Sequence, residues 1–183
     1  MIRLDSIPFD SETLEIILRI SESKTFDKGQ MILNEGQVCR HLFLVEEGLL
    51  RLFFYDKHGN DITHWFAAEE MLLTDPASYF NQTPSFFSIQ AIETTTVKAI
   101  YFETLEKAFE QSQKLERLGR MYAMNTLVMM EHRIIDWQVK SAEERYVELI
   151  ENYPNLFKRT KLGHIASYLG ITQQSLSRIR ANL

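Results

Sequence analysis

Apolar positions along this chain change their period twice. Near the start, Leu14, Ile17 and Leu18 fall on one helical face, with Asp10 or Ser11 as the cap and an end expected near Ser23. From Lys24 to about Ile100 the period drops to two. Leu42 and Leu44 alternate with Phe43 and Val45, and the alternation returns along residues 51–55. Short apolar segments at 31–33, 41–45, 49–55, 62–66, 86–91 and 97–102 lie between Gly- and Asn-bearing turns, among them a hairpin turn at 56–60. Strands this short and this closely spaced predict an antiparallel barrel or jelly roll. Residues 67–85 interrupt it. The spacing predicts one or two helical turns over 67–73, with Pro76 and Pro84 bracketing the rest, and a short helix set into a β-roll suggests a lined pocket.

From about Glu103 to Trp137 the pattern is continuously helical. Leu118, Met121, Asn125, Val128, His132 and Ile135 recur at alternating steps of three and four, a heptad seam about two and a half repeats long. Asn125 and His132 are polar members that would set register. Met124, Met129 and Met130 widen the stripe, so the helix is expected to touch both a partner and the roll. The alternative is a long helix packed only on its own β domain. Ser141-Ala142-Glu143-Glu144 is a capping box that opens a new helix with Tyr146, Leu149 and Ile150 inside, and this puts a domain boundary near residues 137–141.

The last stretch, RTKLGHIASYLGITQQSLSRIRANL, carries the most local information. Thr160 is expected to cap a short helix with Leu162, Ile165, Ala166 and Leu169 inside, and Gly170 supplies the left-handed residue that ends it. Thr172 caps a second helix in which Leu176 and Ile179 face inward, and Ile171 with Leu176 forms a hydrophobic staple. Two short helices joined by a tight turn make a helix-turn-helix. The outer residues of the second helix are Gln173, Gln174, Ser175, Ser177, Arg178 and Arg180, without a single acid. Gln pairs bidentately with adenine, Arg with guanine, and Ser or Thr with bases or phosphates. The alternative is a helical hairpin in an all-α subdomain with a merely solvated outer face.

Charge sharpens this picture. The chain of 183 residues carries −5 overall, yet residues 137–183 hold seven Lys/Arg against four Glu, so that segment is +3 and the remainder −8. No acid occurs after Glu151. A basic tip on an acidic body turns one end toward a polyanion such as double-stranded DNA. No apolar run approaches the roughly 20 residues of a membrane span, and residues 1–9 lack a secretory h-region, so a cytoplasmic protein with no membrane partner is expected. Cys39 is the only cysteine, which excludes an internal disulfide and any multi-cysteine metal site. A cupin-like enzyme would need clustered ligands; His64 and Glu69 are close in sequence, but there is no His-x-His pair, so no metal and no catalysis are expected.

The stretches HLFLVEEGLLRLFFYDKHGNDITHWF and HIASYLGITQQSLSRIR, in this order around a seam helix, resemble the Crp–Fnr family of bacterial transcription regulators along nearly the full chain; the C-terminal stretch is especially similar to the Bacteroidetes members. The resemblance implies an α+β fold: a cyclic-nucleotide-binding-like antiparallel β-roll (double-stranded jelly roll) as sensor domain over 1–113, a long dimerisation helix over 114–138, and a small all-α helix-turn-helix domain over 139–183. It further implies a homodimer, an unknown small-molecule effector, RNA polymerase as a candidate partner, base contacts from the positions of Gln173, Gln174 and Arg178, and phosphate contacts near Thr160 and Lys161. The family's β-wing would follow the reading helix, beyond Leu183, so fewer phosphate contacts are expected. The family's cyclic-nucleotide motif, Phe-Gly-Glu, is set against Phe66-Ala67-Ala68-Glu69-Glu70, and its phosphate-binding Arg falls at about Ser85, before Phe86. Phe66, Glu69, Glu70, Ser85 and Phe86 are therefore the effector-pocket residues expected. With no Lys or Arg between Lys57 and Lys98, tight cAMP binding is not. Relatives carry iron–sulfur clusters or haem; Cys39 alone cannot hold a cluster, and none of the five histidines is singled out, so no cofactor is expected. The competing function is a ligand or redox sensor acting through protein partners, with a degenerate helix-turn-helix.

Overall fold

The computed structural model describes residue 8 and residues 10–182, so the reading of residues 1–9 as lacking a secretory segment lies almost wholly outside the described residues. The chain opens with helix α1 (Ser11–Ile20). Asp10 is its cap, accepting from the Thr13 N–H at 2.9 Å. Eight strands follow: β1 (Ser21–Phe26), β2 (Met31–Leu33), β3 (His41–Glu47), β4 (Leu50–Tyr55), β5 (Asp61–Ala67), β6 (Leu72–Leu73), β7 (Ser88–Ala91) and β8 (Thr95–Tyr101). They form two four-stranded sheets, ordered β1-β8-β3-β6 and β2-β7-β4-β5, with antiparallel pairing throughout. The inner faces meet in one core containing Phe43, Val45, Leu50, Leu52, Trp65, Leu73, Ile89 and Val97. This is the expected jelly roll.

Four expectations about the elements need correction. α1 ends at Ile20, not near Ser23, because β1 begins at the next residue and pairs with β8. The sequence SESKTF shows no apolar alternation because β1 is an edge strand with half its residues exposed. Residues 67–73 are not helical. Ala67 ends β5, Glu70 turns the chain at φ +66°, and Leu72–Leu73 pairs with β3. The inserted helix is α2 (Pro76–Asn81), where Asp75 accepts from the Ala77 N–H at 3.1 Å and Pro76 stands at the first helical turn, a start signal that decides the matter. Finally, the helical stretch after β8 is broken. Helix α3 (Phe102–Gln111) stops at Ser112, whose hydroxyl accepts from the Leu115 N–H at 3.3 Å and caps α4 (Gln113–Val139). α4 packs on α3 where Gly119 leaves room for the Phe109 ring; a Cβ there would lie 2.7 Å from it.

Both outer sheet faces are covered. Leu42, Leu44, Leu72 and Ile100 point away from the roll core and pack with Ile17, Leu105, Ala108, Leu115 and Leu118 of α1, α3 and α4. Leu49 and Phe66 leave the other sheet and pack with the C-terminal helices α5 (Ala142–Asn152), α6 (Leu156–Arg159), α7 (Leu162–Tyr168) and α8 (Gln173–Asn182). The capping box that opens α5 forms as expected, with Ser141 N–H donating to Glu144 at 2.7 Å and Glu144 N–H to Ser141 Oγ at 3.2 Å. Among the described residues no helix is long and apolar enough to cross a membrane.

Gly48, between β3 and β4, is the tightest point of the roll. Its φ is +105°, its N–H donates to Glu69, and a Cβ there would lie 2.7 Å from the Thr95 Cα and 2.8 Å from the Thr94 carbonyl oxygen. Backbone cannot give way as a side chain can. Gly48→Ala should therefore cost about 2 kcal/mol or more, read as a lowered urea midpoint at unchanged slope; an unchanged midpoint would contradict this packing.

Candidate nucleic-acid interface and sensor site

The C-terminal helix-turn-helix is built from local signals. α7 buries Ile165 and Ala166, and Leu169 follows at its C-cap. Gly170 then takes φ +69°, with its N–H donating to the Ser167 carbonyl at 3.1 Å and the Ile171 N–H to the Ala166 carbonyl at 3.0 Å. A second constraint falls on the same residue. A Cβ at Gly170 would collide with the Trp137 ring of α4, lying 2.6 Å from its Cζ3, so only glycine meets both conditions. Thr172 caps α8, accepting from the Ser175 N–H at 3.1 Å, and its hydroxyl pairs with that of Ser175 at 2.9 Å. Leu176 is wholly buried beneath α8 and Ile179 partly. Thr160 does not cap α7. It ends α6, its N–H donating to the Leu156 carbonyl at 3.2 Å, and its hydroxyl faces His164 Nδ1 at 3.1 Å; Lys161 occupies the cap position without a side-chain bond.

The outer side of α8 is open. Gln173, Gln174, Ser177, Arg178 and Arg180 are exposed, as is Lys161, while Ser175 is half-buried beside its cap. Among the described residues neither Arg178 nor Arg180 nor Lys161 has a carboxylate partner, so these cations are available to an outside anion.

The opposite side of the head lies on the roll. The Thr63 N–H of edge strand β5 donates to Ser167 Oγ at 3.1 Å, which satisfies a donor that an open sheet edge would leave free. Tyr168 packs on Phe66 and Trp65 with ring centroids 5.5 and 6.4 Å away. Arg159 forks onto Glu69 at 2.8 and 2.9 Å and reaches Glu93 through Nε at 3.0 Å. Burial alone would raise the Glu69 carboxyl; hydrogen bonds from Arg159 and from the Gly48 N–H outweigh it and bring it to about 2. His164, on α7, is held down at about 4 by burial and then by the nearby Arg51. Arg51 itself is 2% exposed, paired with Asp61 at 2.9 Å and Gln90 at 3.0 Å, and lies 4.0 Å over the Phe53 ring.

The effector-pocket residues expected from sequence are not brought together. Phe66 lies under the head, wholly buried. Glu69 is held by Arg159, and Glu70 turns the chain with its N–H on the Val45 carbonyl at 2.9 Å. Ser85 bonds elsewhere: its hydroxyl donates to the buried Asp75 carboxylate at 2.7 Å and accepts from the Phe87 N–H at 3.0 Å. Phe86 is 56% exposed, its ring against Phe54. A single motif alignment cannot foresee this, because each contact joins distant segments. His64 lies against Phe87 with ring centroids 4.8 Å apart and planes tilted by 35°, and among the described residues no three His, Cys, Asp or Glu side chains gather as a metal-ligating group.

The seam helix divides its apolar residues between two sides. Leu118 belongs to the protomer's own core at 5% exposure, Met121 packs on it, and Met129 and Met130 reach the roll core. Asn125 and His132 are exposed. Val128 and Ile135 are 46% exposed and join Met124, Leu127 and Ile134 in an uncovered stripe. Four of the six expected seam positions, Asn125, Val128, His132 and Ile135, are thus exposed, while Leu118 is buried and Met121 half-buried.

Residues 23–112 match the family model for the cyclic nucleotide-binding domain. The chain is 28% identical to a fumarate and nitrate reduction regulatory protein of Vibrio cholerae, over 94% of this chain and 74% of that protein. It is 27% identical to electron transport regulator A of Shewanella oneidensis, over 87% and 68%. Among solved structures, FixK2 from Bradyrhizobium japonicum superposes with a TM-score of 0.75 at 20% identity, over 90% of this chain and 84% of that one. The Thermus thermophilus catabolite activator protein superposes with 0.62 at 17%, over 96% and 84%.

A cyclic phosphate brought to Ser85 would meet the buried Asp75 carboxylate instead of a cation, and like charges at that distance in a poorly solvated site repel. Titration calorimetry with cAMP should show no sub-micromolar affinity; a sub-micromolar constant would contradict the assignment of Asp75 and Ser85 to each other.

Proposed function

Because this chain belongs to the Crp–Fnr family of regulators, we propose that it is a dimeric, sequence-specific DNA-binding transcription regulator. The roll of residues 1–113 takes part in sensing an effector, the helix over 114–138 pairs two protomers, and residues 139–183 read DNA. RNA polymerase is a candidate partner. The relatives are named as regulators, not enzymes, and this chain is read as non-catalytic too. The observation that carries the reading is the outer side of α8: exposed Gln173, Gln174, Arg178 and Arg180 on a helix anchored by the buried Leu176. A hairpin whose second helix served only packing would not leave every bidentate donor outward and unpaired.

The second support is the uncovered stripe of α4. Met124, Leu127, Val128, Ile134 and Ile135 stand 46–61% exposed on one 27-residue helix. A copy of the same helix, related by a two-fold axis, covers such a stripe with itself. Two heads would then present their α8 helices to successive major grooves, one helical turn or about 34 Å apart.

Two measurements test this. Arg178→Ala should weaken operator binding by about 1–3 kcal/mol per head and relax sequence preference, whereas Lys161→Ala should weaken all sequences alike and reduce the salt slope by about one unit. Gel shifts against selected genomic fragments and random DNA separate them, and equal loss on both DNAs for Arg178→Ala would overturn its role. Leu127→Asp should turn the dimer into monomers in sedimentation, because a carboxylate opposite its own copy is buried unpaired; an unchanged dimer would move the interface elsewhere.

A further inference from the structure

The roll, the long helix and the head meet around a cavity of about 390 Å³. Trp65 comes from β5, Arg133 and Trp137 from α4, Arg145 from α5 and Tyr168 from α7. Arg133 is the unusual member. Its guanidinium lies 4.5 Å over the Tyr168 ring and 5.2 Å from Trp65, and Nη1 donates to the His64 carbonyl at 2.8 Å. Among the described residues no carboxylate lies within ion-pair distance of it. The two acids at the cavity are already engaged: Asp136 and Glu148 both hold Lys140, at 2.8 and 2.7 Å. Arg145 adds a second guanidinium 5.1 Å from Trp137. It donates through Nη1 to the Lys140 carbonyl and through Nη2 to the Leu169 carbonyl, while its buried Nε has no partner.

A half-buried cation whose company is one neutral carbonyl and two ring faces lacks a counter-charge, and that is costly. Burial lowers the proton affinity of Arg133, as that cost requires. We propose that this cavity is the effector site, and that it takes a small organic anion bearing an aromatic ring, its carboxylate on Arg133 and its ring among Trp65, Trp137 and Tyr168. The guanidinium fork matches a carboxylate bidentately, and aromatic walls suit a planar ring. The volume is that of a small-molecule site. The proposal rests on the reading of this chain as an effector-controlled regulator. It also explains how a ligand would be felt. The cavity touches all three parts of the protein, and Trp137, one of its walls, is the residue packed against the Gly170 turn of the reading head.

The chain has two tryptophans, and both line this cavity, so intrinsic fluorescence reports on it directly. The 183-residue chain is titrated with 3-phenylpropanoate and with its neutral isostere, 3-phenylpropanamide. The anion should shift or quench the emission and bind about tenfold more tightly or better, as one charge-assisted contact allows. Arg133→Met should abolish that preference while its thermal midpoint, without ligand, stays equal or rises. Arg133→Lys, which keeps a point charge, should retain a reduced preference and decides the matter if Arg133→Met fails to fold. Equal binding of acid and amide, no binding of the acid, or an unaltered preference in the variants would each overturn the proposal. None of these readouts uses DNA, so their failure leaves the DNA-binding reading standing, and failure of the gel shifts leaves this one.

Discussion

A sheet whose two faces are both apolar has to be covered twice, and this constraint governs the molecule. β4 and β5 run as LRLFFY and DITHWFA, with Leu50, Leu52, Trp65 and Ala67 inside the roll; Phe66, and Leu49 just before β4, lie on the outside. Each of the latter two is worth roughly 1.5–3 kcal/mol if buried. The C-terminal head is the element that buries them. The other sheet solves the same problem with α1, α3 and α4. The head is therefore structural and functional at once. One side completes the core over β5, and what remains outward is the acid-free side of α8.

α4 obeys the same logic from the opposite direction. It carries apolar residues around most of its circumference, which no single interface accounts for. Leu115 and Leu118 close the sheet on the α1 side, Met129 and Met130 close the roll, and Trp137 seats the head turn. Among the described residues nothing covers the stripe through Leu127 and Ile134. A helix that is core to its own protomer along one side, and open along another, couples whatever covers the open side to the packing of roll and head.

What could be read from the chain beforehand follows the distance between interacting residues. The helix-turn-helix was legible because Gly170, Thr172, Ile171 and Leu176 act within seven residues of one another, and the capping box at Ser141 for the same reason. The strands with alternating burial were legible too. β1 was not, since an edge strand with polar residues carries no period, and neither was the two-residue β6. Thr160 has the chemistry of a cap, but α6 was unforeseen; once α6 ends at Arg159, the Thr160 hydroxyl turns to His164. The pocket residues were set by motif alignment, and there the long-range partners decide. Glu69 meets Arg159 from ninety positions away, and Ser85 meets an Asp75 that no motif marked.

The charge distribution shows why the local reading survived where the long-range one did not. Five cations follow Asn152: Lys158, Arg159, Lys161, Arg178 and Arg180. By sequence they form one basic tip, but the fold separates them by task. Arg159 is turned inward to neutralise Glu69 and Glu93, fixing the head to the acidic roll. Lys158, Lys161, Arg178 and Arg180 remain outward. The acid-free tail thus does two things with one sign of charge. It finds carboxylates on the protein's own body at one end and, among the described residues, leaves guanidiniums and ammoniums without a carboxylate partner at the other. A ligand anion at Arg133 would act between these ends, beside Tyr168 and the Trp137 that carries the reading turn, where a small change in packing reaches both.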